Sequence, residues 1–487
     1  MTVFLCGAMV MVFEILGSRV LGPYVGTSTY VWTSLIGVIL GSLSIGYALG
    51  GQLADEIPGM KPLGYIIMLS SAAILWTALV KDVVPAFVNH MGGNMEIKSV
   101  IMSVVLFAPA SIMLGMVTPF AVKIRTVNTA NVGTITGNLY AVSTLGSIVG
   151  TFAAGFFIIP SLGTQATLIA ISVSLLLCSF LILWNTIGKK TIVAAVLVLL
   201  CAYGIRNIHW SPKRNLVADI DTQYNRIWIF NANDPITKKP VTNLAMDPYG
   251  IQSSAFADGS TNLVAGYAEY YDLFRYFSPS AASALMIGGC AYTYPRYFLE
   301  HYPKLSLDVV EIDSGMTNIA RQYFGLKDSP QLEIVHEDGR IFLNNTKKRY
   351  DVILGDAFTS FSSLPFQLTT QEAIQKEYDA LNDGGVVVVN LISSVTGKNG
   401  LFARAEYATY RSIFPQVFLF PLGDNSDDIQ NVMLIGYKSS LVPSFESPDP
   451  ILSAMLRHYW TKEIAADVPV LTDDFAPVEY YKRVSLE

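Results

Sequence analysis

The chain has 487 residues, a net charge of −6 and 52% hydrophobic side chains, and its two halves differ in kind. Residues 1–205 hold eight Lys/Arg and five Asp/Glu; the other 282 hold 24 and 33, so −6 is the sum of +3 and −9. An acidic second half excludes nucleic acid as a partner, because phosphate binding needs a basic face. The four cysteines, Cys6, Cys178, Cys201 and Cys290, show no CxxC spacing, and the five histidines are scattered, so no metal site is expected.

A helix needs about twenty apolar residues to cross a bilayer core. Windows of that kind fall at 3–22, 30–53, 63–80, 98–120, 138–160, 164–187 and 190–208, which predicts a transmembrane bundle of about seven helices over 1–208. Met1 leads straight into the first window without a basic segment or a cleavage site, so that window is expected to stay as a membrane helix. Gly37/Gly41, Gly46/Gly50 and Gly146/Gly150 are GxxxG pairs, which predict close helix packing and leave room for a homodimer face. Glu14, in the middle of the first window, needs a partner at that depth; Arg19 is the expected one, and a role lining a substrate path is the alternative. Flanking Lys and Arg are balanced between the two sides, so charge does not orient the bundle.

Residues 215–487 read as an α/β domain with a small β lead-in. Leu216–Asp221, Arg226–Phe230 and Thr242–Met246 make the lead-in. Apolar runs at Ala284–Ile287, Leu307–Ile312, Leu332–Val335, Tyr350–Leu354 and Val386–Asn390 then alternate with helical spacing, as in Ser314–Tyr323 and Thr370–Leu381. Repeated βα units predict a Rossmann-like parallel sheet with ligands at the carboxyl ends of its strands. Gly288 and Gly289 end the first run. Glu311 ends the second, where an acidic residue is placed to bind ribose hydroxyls. The turn reads Gly-Gly-Cys-Ala-Tyr and not GxGxxG, so a nucleoside without pyrophosphate, such as S-adenosylmethionine, fits better than a dinucleotide. Asp338 follows the third run and is a candidate acceptor for an adenine amine. Asp356 ends the fourth, where a carboxylate can hold or deprotonate an amine, or cap a helix.

Several stretches together resemble the spermidine synthase family, specifically its membrane-fused members. In the first half these are Phe13–Arg19, Gly26–Tyr30, Met113–Pro119 and Gly137–Tyr140. In the second they are Tyr224–Ile227, Gly250–Ser253, Tyr267–Glu269, Val310–Asp313, Gly355–Phe358 and Leu471–Glu479. The resemblance implies transfer of an aminopropyl group from decarboxylated S-adenosylmethionine, a co-substrate and not a resident cofactor, to a small amine. It implies that Asp356 is catalytic. Gly288, Gly289, Glu311, Asp338, Gly339 and Gln252 would hold the donor, and Tyr267, Glu269 and Asn225 the acceptor, with Asp272 close by in sequence. Ala291 and Thr359 stand where the family usually has aspartates, and Asn225 where it has Gln, so putrescine recognition is expected to be altered.

Two other classes stay open on the sequence. One is an S-adenosylmethionine-dependent methyl or aminocarboxypropyl transferase acting on a lipid or a membrane-delivered acceptor. The other is a ligand sensor or transporter without turnover. The expected location is the cell membrane, multi-pass, with the second half in the cytoplasm, where adenosyl donors are made.

Overall fold

The computed structural model describes residues 1–91, 94–126, 131–184, 213–357 and 365–486, with scattered positions between 193 and 204. The chain separates into two compact units, Met1–Pro212 with the turn Asp219–Arg226, and Lys213–Ala218 with Ile227–Glu487.

The first unit is helical: α1 Thr2–Val25, α2 Thr29–Glu56, α3 Met60–Val80, α4 Val83–Asn89, α5 Met95–Gly115, α6 Val117–Arg125, α7 Val132–Ala153 and α8 Ile159–Leu183, with a π turn at Ala154–Ile158 between the last two. Among the described residues, five helical stretches are long and apolar enough to cross a membrane. One of them, Val132–Leu183, would be about 78 Å long as a single helix, far more than a bilayer core. It is broken at Gly163, whose φ is 72°, so it is two helical stretches, and six stretches among the described residues are long and apolar enough to cross a membrane. The seventh expected crossing, 190–208, falls largely outside the described residues.

The GxxxG pairs divide by use. A Cβ on Gly46 would lie 2.3 Å from the Ile112 carbonyl oxygen, and one on Gly150 2.4 Å from that of Ala8. These glycines let α2 meet α5 and α7 meet α1 backbone to backbone. Gly37 and Gly41 have nothing within 4 Å. The expected Glu14–Arg19 pair is not among the described ion pairs. Arg19 donates to the carbonyls of Gln223 (2.5 Å) and Thr222 (2.7 Å) in the turn that belongs to this unit. Its guanidinium serves several acceptors at once, which one carboxylate at a fixed helical offset does not require.

An antiparallel sheet comes first in the second half of the chain, β1 Leu216–Asp221, β2 Arg226–Asn233, β3 Pro240–Ala245 and β4 Ser253–Phe256, with the β1–β2 turn grouped with the helical unit. A seven-stranded sheet follows: β5 Ser283–Ile287, β6 Ser306–Val310, β7 Leu332–Val335, β8 Tyr350–Gly355, β9 Leu381–Ser393, β10 Gln416–Pro421 and β11 Gln430–Tyr437. Its order is β10-β11-β9-β8-β5-β6-β7. Strands β5 to β9 run parallel, and β11 and β10 close one edge antiparallel. The two faces are filled by alternate residues of the same strands. Leu285, Ile287, Ile353, Val387 and Val389 pack into one core, and Ala284, Met286, Val352, Val386 and Val388 into the other. This is why these strands read as unbroken apolar runs and not as alternating ones. The chain leaves β5 toward β6 and β7 and returns to β8 on β5's other side, so the switch point lies between the ends of β5 and β8.

Candidate active site

At that switch point the backbone is pinned. Gly288 N donates to Val310 O and Asp356 N to Ile287 O, both at 2.9 Å. Gly288 has φ 92°, and a Cβ there would lie 2.4 Å from the Asp356 carbonyl oxygen, so only glycine lets the two strand ends come this close. Glu311, just beyond β6, takes three backbone N–H donors: Gly289 at 2.9 Å, Cys290 at 3.1 Å and Asp313 at 2.9 Å. Burial pushes its carboxyl above the usual range, and these donors pull back against that. A carboxylate accepts about four hydrogen bonds, so roughly one acceptor site remains for a ligand hydroxyl.

The turn itself is strained, with Cys290 at φ 46° and Tyr292 at φ 56°, both left-handed and neither a glycine. Such residues cost on the order of 1–3 kcal/mol each and persist where the surroundings hold them. Part of that hold is a side-chain chain in which the Tyr292 hydroxyl meets Thr317 Oγ1 at 2.8 Å and Thr317 meets His336 Nε2 at 2.9 Å.

Among the described residues, the side-chain partners of Asp356 are neutral. Tyr267 Oη donates to Oδ2 at 3.3 Å and Asn390 Nδ2 to Oδ1 at 3.4 Å. Asn431 Nδ2 donates to Asn390 Oδ1 at 2.9 Å and so fixes the amide that faces Asp356. Tyr271 Oη donates to the Gly355 carbonyl at 3.0 Å. Among the described residues no ion pair involves Asp356. Burial raises its pKa, and the Asn390, Tyr271 and Tyr267 hydroxyl and amide donors oppose the rise without cancelling it. A carboxylate moved toward neutrality and placed at a strand end beside the switch point is suited to taking a proton.

Residues 273–418, which contain the ends of β5, β6 and β8, match the spermine/spermidine synthase domain. The match covers 146 of the chain's 487 residues, so this stretch is similar to that domain. Among curated relatives, a probable polyamine aminopropyl transferase of Bifidobacterium longum is 32% identical over 205 residues, 41% of this chain and 42% of the relative. A polyamine aminopropyltransferase of Vibrio vulnificus is 28% identical over 220 residues, 42% of this chain and 72% of its own length. The human eEF1A lysine and N-terminal methyltransferase is 26% identical over 146 residues, 28% of this chain and 20% of that protein. The chain thus spans less than half the length of the first of these relatives. A probable spermidine synthase structure from Corynebacterium glutamicum aligns with a TM-score of 0.42 at 22% identity, over 50% of this chain and 86% of that one.

The synthase domain gathers only part of the expected residue set around Asp356. Gly288, Gly289 and Glu311 share the β5 and β6 ends, and Tyr267 reaches Asp356. Asp338 is the cap of the helix Gly339–Asn345, accepting from Arg340 N at 2.9 Å and Ile341 N at 3.1 Å through one oxygen. Gln252 is tied within its own loop: its Oε1 accepts from Met246 N and its Nε2 donates to Asp247, both at 2.7 Å. Glu269 is exposed, and desolvation followed by the Asp272 charge pushes its carboxyl up. Asp272 is buried, its oxygens taken by the hydroxyls of Tyr294 (2.9 Å) and Tyr297 (2.8 Å), so it is spent on the fold. Asn225 sits in the turn grouped with the helical unit, where its backbone bonds Thr222. Ala291 is fully buried under the glycine turn, and Thr359 lies outside the described residues. Asn390 and Tyr271 were not anticipated. A polar residue ending the apolar run Val386–Asn390 is the signal for the first, and a tyrosine four residues after Tyr267 for the second.

Proposed function

We propose that this protein is a membrane-bound, aminopropyltransferase-like enzyme that moves an aminopropyl group from decarboxylated S-adenosylmethionine to an amine and releases methylthioadenosine. The observation that carries the reading is the pair of carboxylates at one strand-end crevice. Glu311 accepts from three backbone donors and keeps about one acceptor site on the nucleoside side, and Asp356 is held on the reacting side, among the described residues, by neutral donors. In the reaction the amine nitrogen attacks the methylene next to the sulfonium. The C–S bond breaks, its electron pair stays on sulfur as a neutral thioether, and the amine proton passes to Asp356. Tyr267 and Asn390 hold that carboxylate in place, and fixing both reactants in line supplies much of the acceleration. The long apolar helices support a location in a bilayer, and a cytosolic adenosyl donor would put the synthase domain on the cytoplasmic side.

The acceptor in this reading is a small amine other than putrescine. Ala291 offers no carboxylate, Asp272 is taken by tyrosines, and Asp356 has no second acid bonded to it among the described residues. A second reading, methyl transfer from intact S-adenosylmethionine, draws on the methyltransferase relatives and differs in its product.

Binding calorimetry with methylthioadenosine tests the site. Glu311→Ala removes one charged hydrogen bond to the ribose and the anchor of the glycine turn, and is expected to weaken binding by roughly 2–3 kcal/mol. Unchanged affinity would remove Glu311 from the nucleoside site.

A further inference from the structure

The stretch Leu471–Glu479 belongs to the sequence signature but has no part in the chemistry above. It forms a strap. Thr472 and Phe475 exchange backbone hydrogen bonds at 3.0 Å in each direction, closing a tight turn around Asp473 and Asp474. The strap is anchored at its base, where the Leu471 carbonyl accepts from Gln371 N at 2.8 Å and Leu471 N donates to Thr409 Oγ1 at 3.0 Å. From that base Asp473 reaches two groups. Its Oδ1 accepts from Thr370 Oγ1 at 2.7 Å and its Oδ2 from Arg340 Nη2 at 2.8 Å.

Arg340 is the residue through which the strap meets the candidate adenine position. Its backbone N–H is bonded by Asp338, and its Nη1 donates to the Gln367 carbonyl and to Thr370 Oγ1, each at 3.0 Å. Thr370 in turn caps the helix Gln371–Ala380, accepting from Ala373 N. The threonine hydroxyl therefore gives its single proton to Asp473 and accepts from Arg340 and Ala373, which exhausts its bonding capacity. Beside it, a Cβ on Gly339 would lie 2.8 Å from Ile287 Cγ2 at the end of β5, so the Asp338–Gly339 turn is pressed onto the strand that carries the glycine turn. The Arg340 side chain is 15% exposed and that of Asp473 48%, so the cationic end of the pair is covered while the carboxylate reaches it from the surface.

We infer that Asp473 is a positioning residue for the adenine side of the nucleoside site: through Arg340 and Thr370 it sets where the Asp338 carboxylate stands. The inference rests on the nucleoside-site reading above. Replacing the Asp473 carboxylate by an amide leaves one acceptor oxygen for two donors, Arg340 Nη2 and Thr370 Oγ1, so one of them is released, and Arg340 directly follows the Asp338–Gly339 turn. The effect is on recognition of the base, because among the described residues Asp356 and Glu311 share no hydrogen bond with this network.

Full-length protein in detergent is titrated with methylthioadenosine and with methylthioinosine, in which a carbonyl replaces the exocyclic amine. The parent is expected to prefer the adenine nucleoside. Asp473→Asn should cut adenine affinity by about fivefold to tenfold while leaving the inosine analogue nearly unchanged, a size typical of coupling inside one network. Asp473→Glu, which keeps the charge, should recover most of the preference. Arg340→Gln provides the same readout should Asp473→Asn fail to fold. Equal loss for both nucleosides, or an unchanged preference, would make the strap a structural tie only and overturn the inference. A parent that binds neither nucleoside would overturn the functional reading itself, and this inference with it.

Discussion

Asp356→Asn is expected to lower turnover by about 10²- to 10⁴-fold, the range that a positioned general base contributes, while methylthioadenosine still binds with near-parental affinity. The amide keeps an acceptor oxygen for Tyr267 or Asn390, so the crevice keeps its shape, but it has no basicity for the amine proton. In the parent, the same residue should set the acid limb of the pH profile. Burial raises its pKa, and the neutral donors around it oppose that only partly. Activity requires the ionised form, so the rate falls as pH drops through a value above that of an ordinary aspartate. Turnover of the Asn variant within a few-fold of the parent would remove Asp356 from the chemistry.

Glu377→Gln is expected to stabilise the synthase domain at alkaline pH and to do little at pH 4. Glu377 and Glu406 are both buried, on the helices Gln371–Ala380 and Leu401–Arg411. Tyr410 donates to Glu377 at 2.7 Å, and among the described residues Glu406 Oε1 has no hydrogen-bond partner. Burial raises the Glu377 pKa from 4.5 to about 7 and also raises that of Glu406 well above the ordinary carboxylate range, with the Glu377 charge adding to the shift. A folded pKa above the unfolded one means that the native state holds the proton more tightly. The stability this brings is fully present below pH 4.5 and is lost as pH rises through 7, a total of about 3 kcal/mol for Glu377. Glutamine is neutral at every pH and can still accept from Tyr410, so the variant escapes that loss. The thermal midpoint of the synthase domain, compared between parent and variant at pH 5 and pH 8, should show the gain growing with pH. A gain that is absent, or equal at both values, would mean that Glu377 does not carry a raised pKa.

Much of the fold was legible because its signals are local. The windows 3–22 and 30–53 lie inside α1 and α2 because apolar length is all that a membrane helix requires. Leu216–Asp221 and Leu332–Val335 coincide with β1 and β7, which are short and bounded by turn residues. The antiparallel edge β10 and β11 went unread, since its apolar runs Gln416–Pro421 and Gln430–Tyr437 have no helical crossover between them to mark them as one more βα unit. Gly288, Glu311 and Asp356 could be placed at strand ends from their positions after apolar runs. What surrounds them is set by pairings distant in sequence. Asn390 is 34 residues from Asp356, Asn431 a further 41, and Tyr267 lies 89 residues before it. Asp272 shows the converse: proximity to Glu269 in sequence suggested amine binding, and tertiary packing gave its oxygens to tyrosines. Arg19 finds its acceptors 203 and 204 residues away, beyond any helical-offset argument.

The most direct test of the account is product identity. Full-length protein in detergent is incubated with decarboxylated S-adenosylmethionine and a panel of amines, in parallel with intact S-adenosylmethionine and the same amines, and the nucleosides formed are resolved by mass spectrometry. The account expects methylthioadenosine from the decarboxylated donor, dependent on the amine and lost in Asp356→Asn. S-adenosylhomocysteine from the intact donor, with no methylthioadenosine from the decarboxylated one, would contradict it and make the domain a methyltransferase.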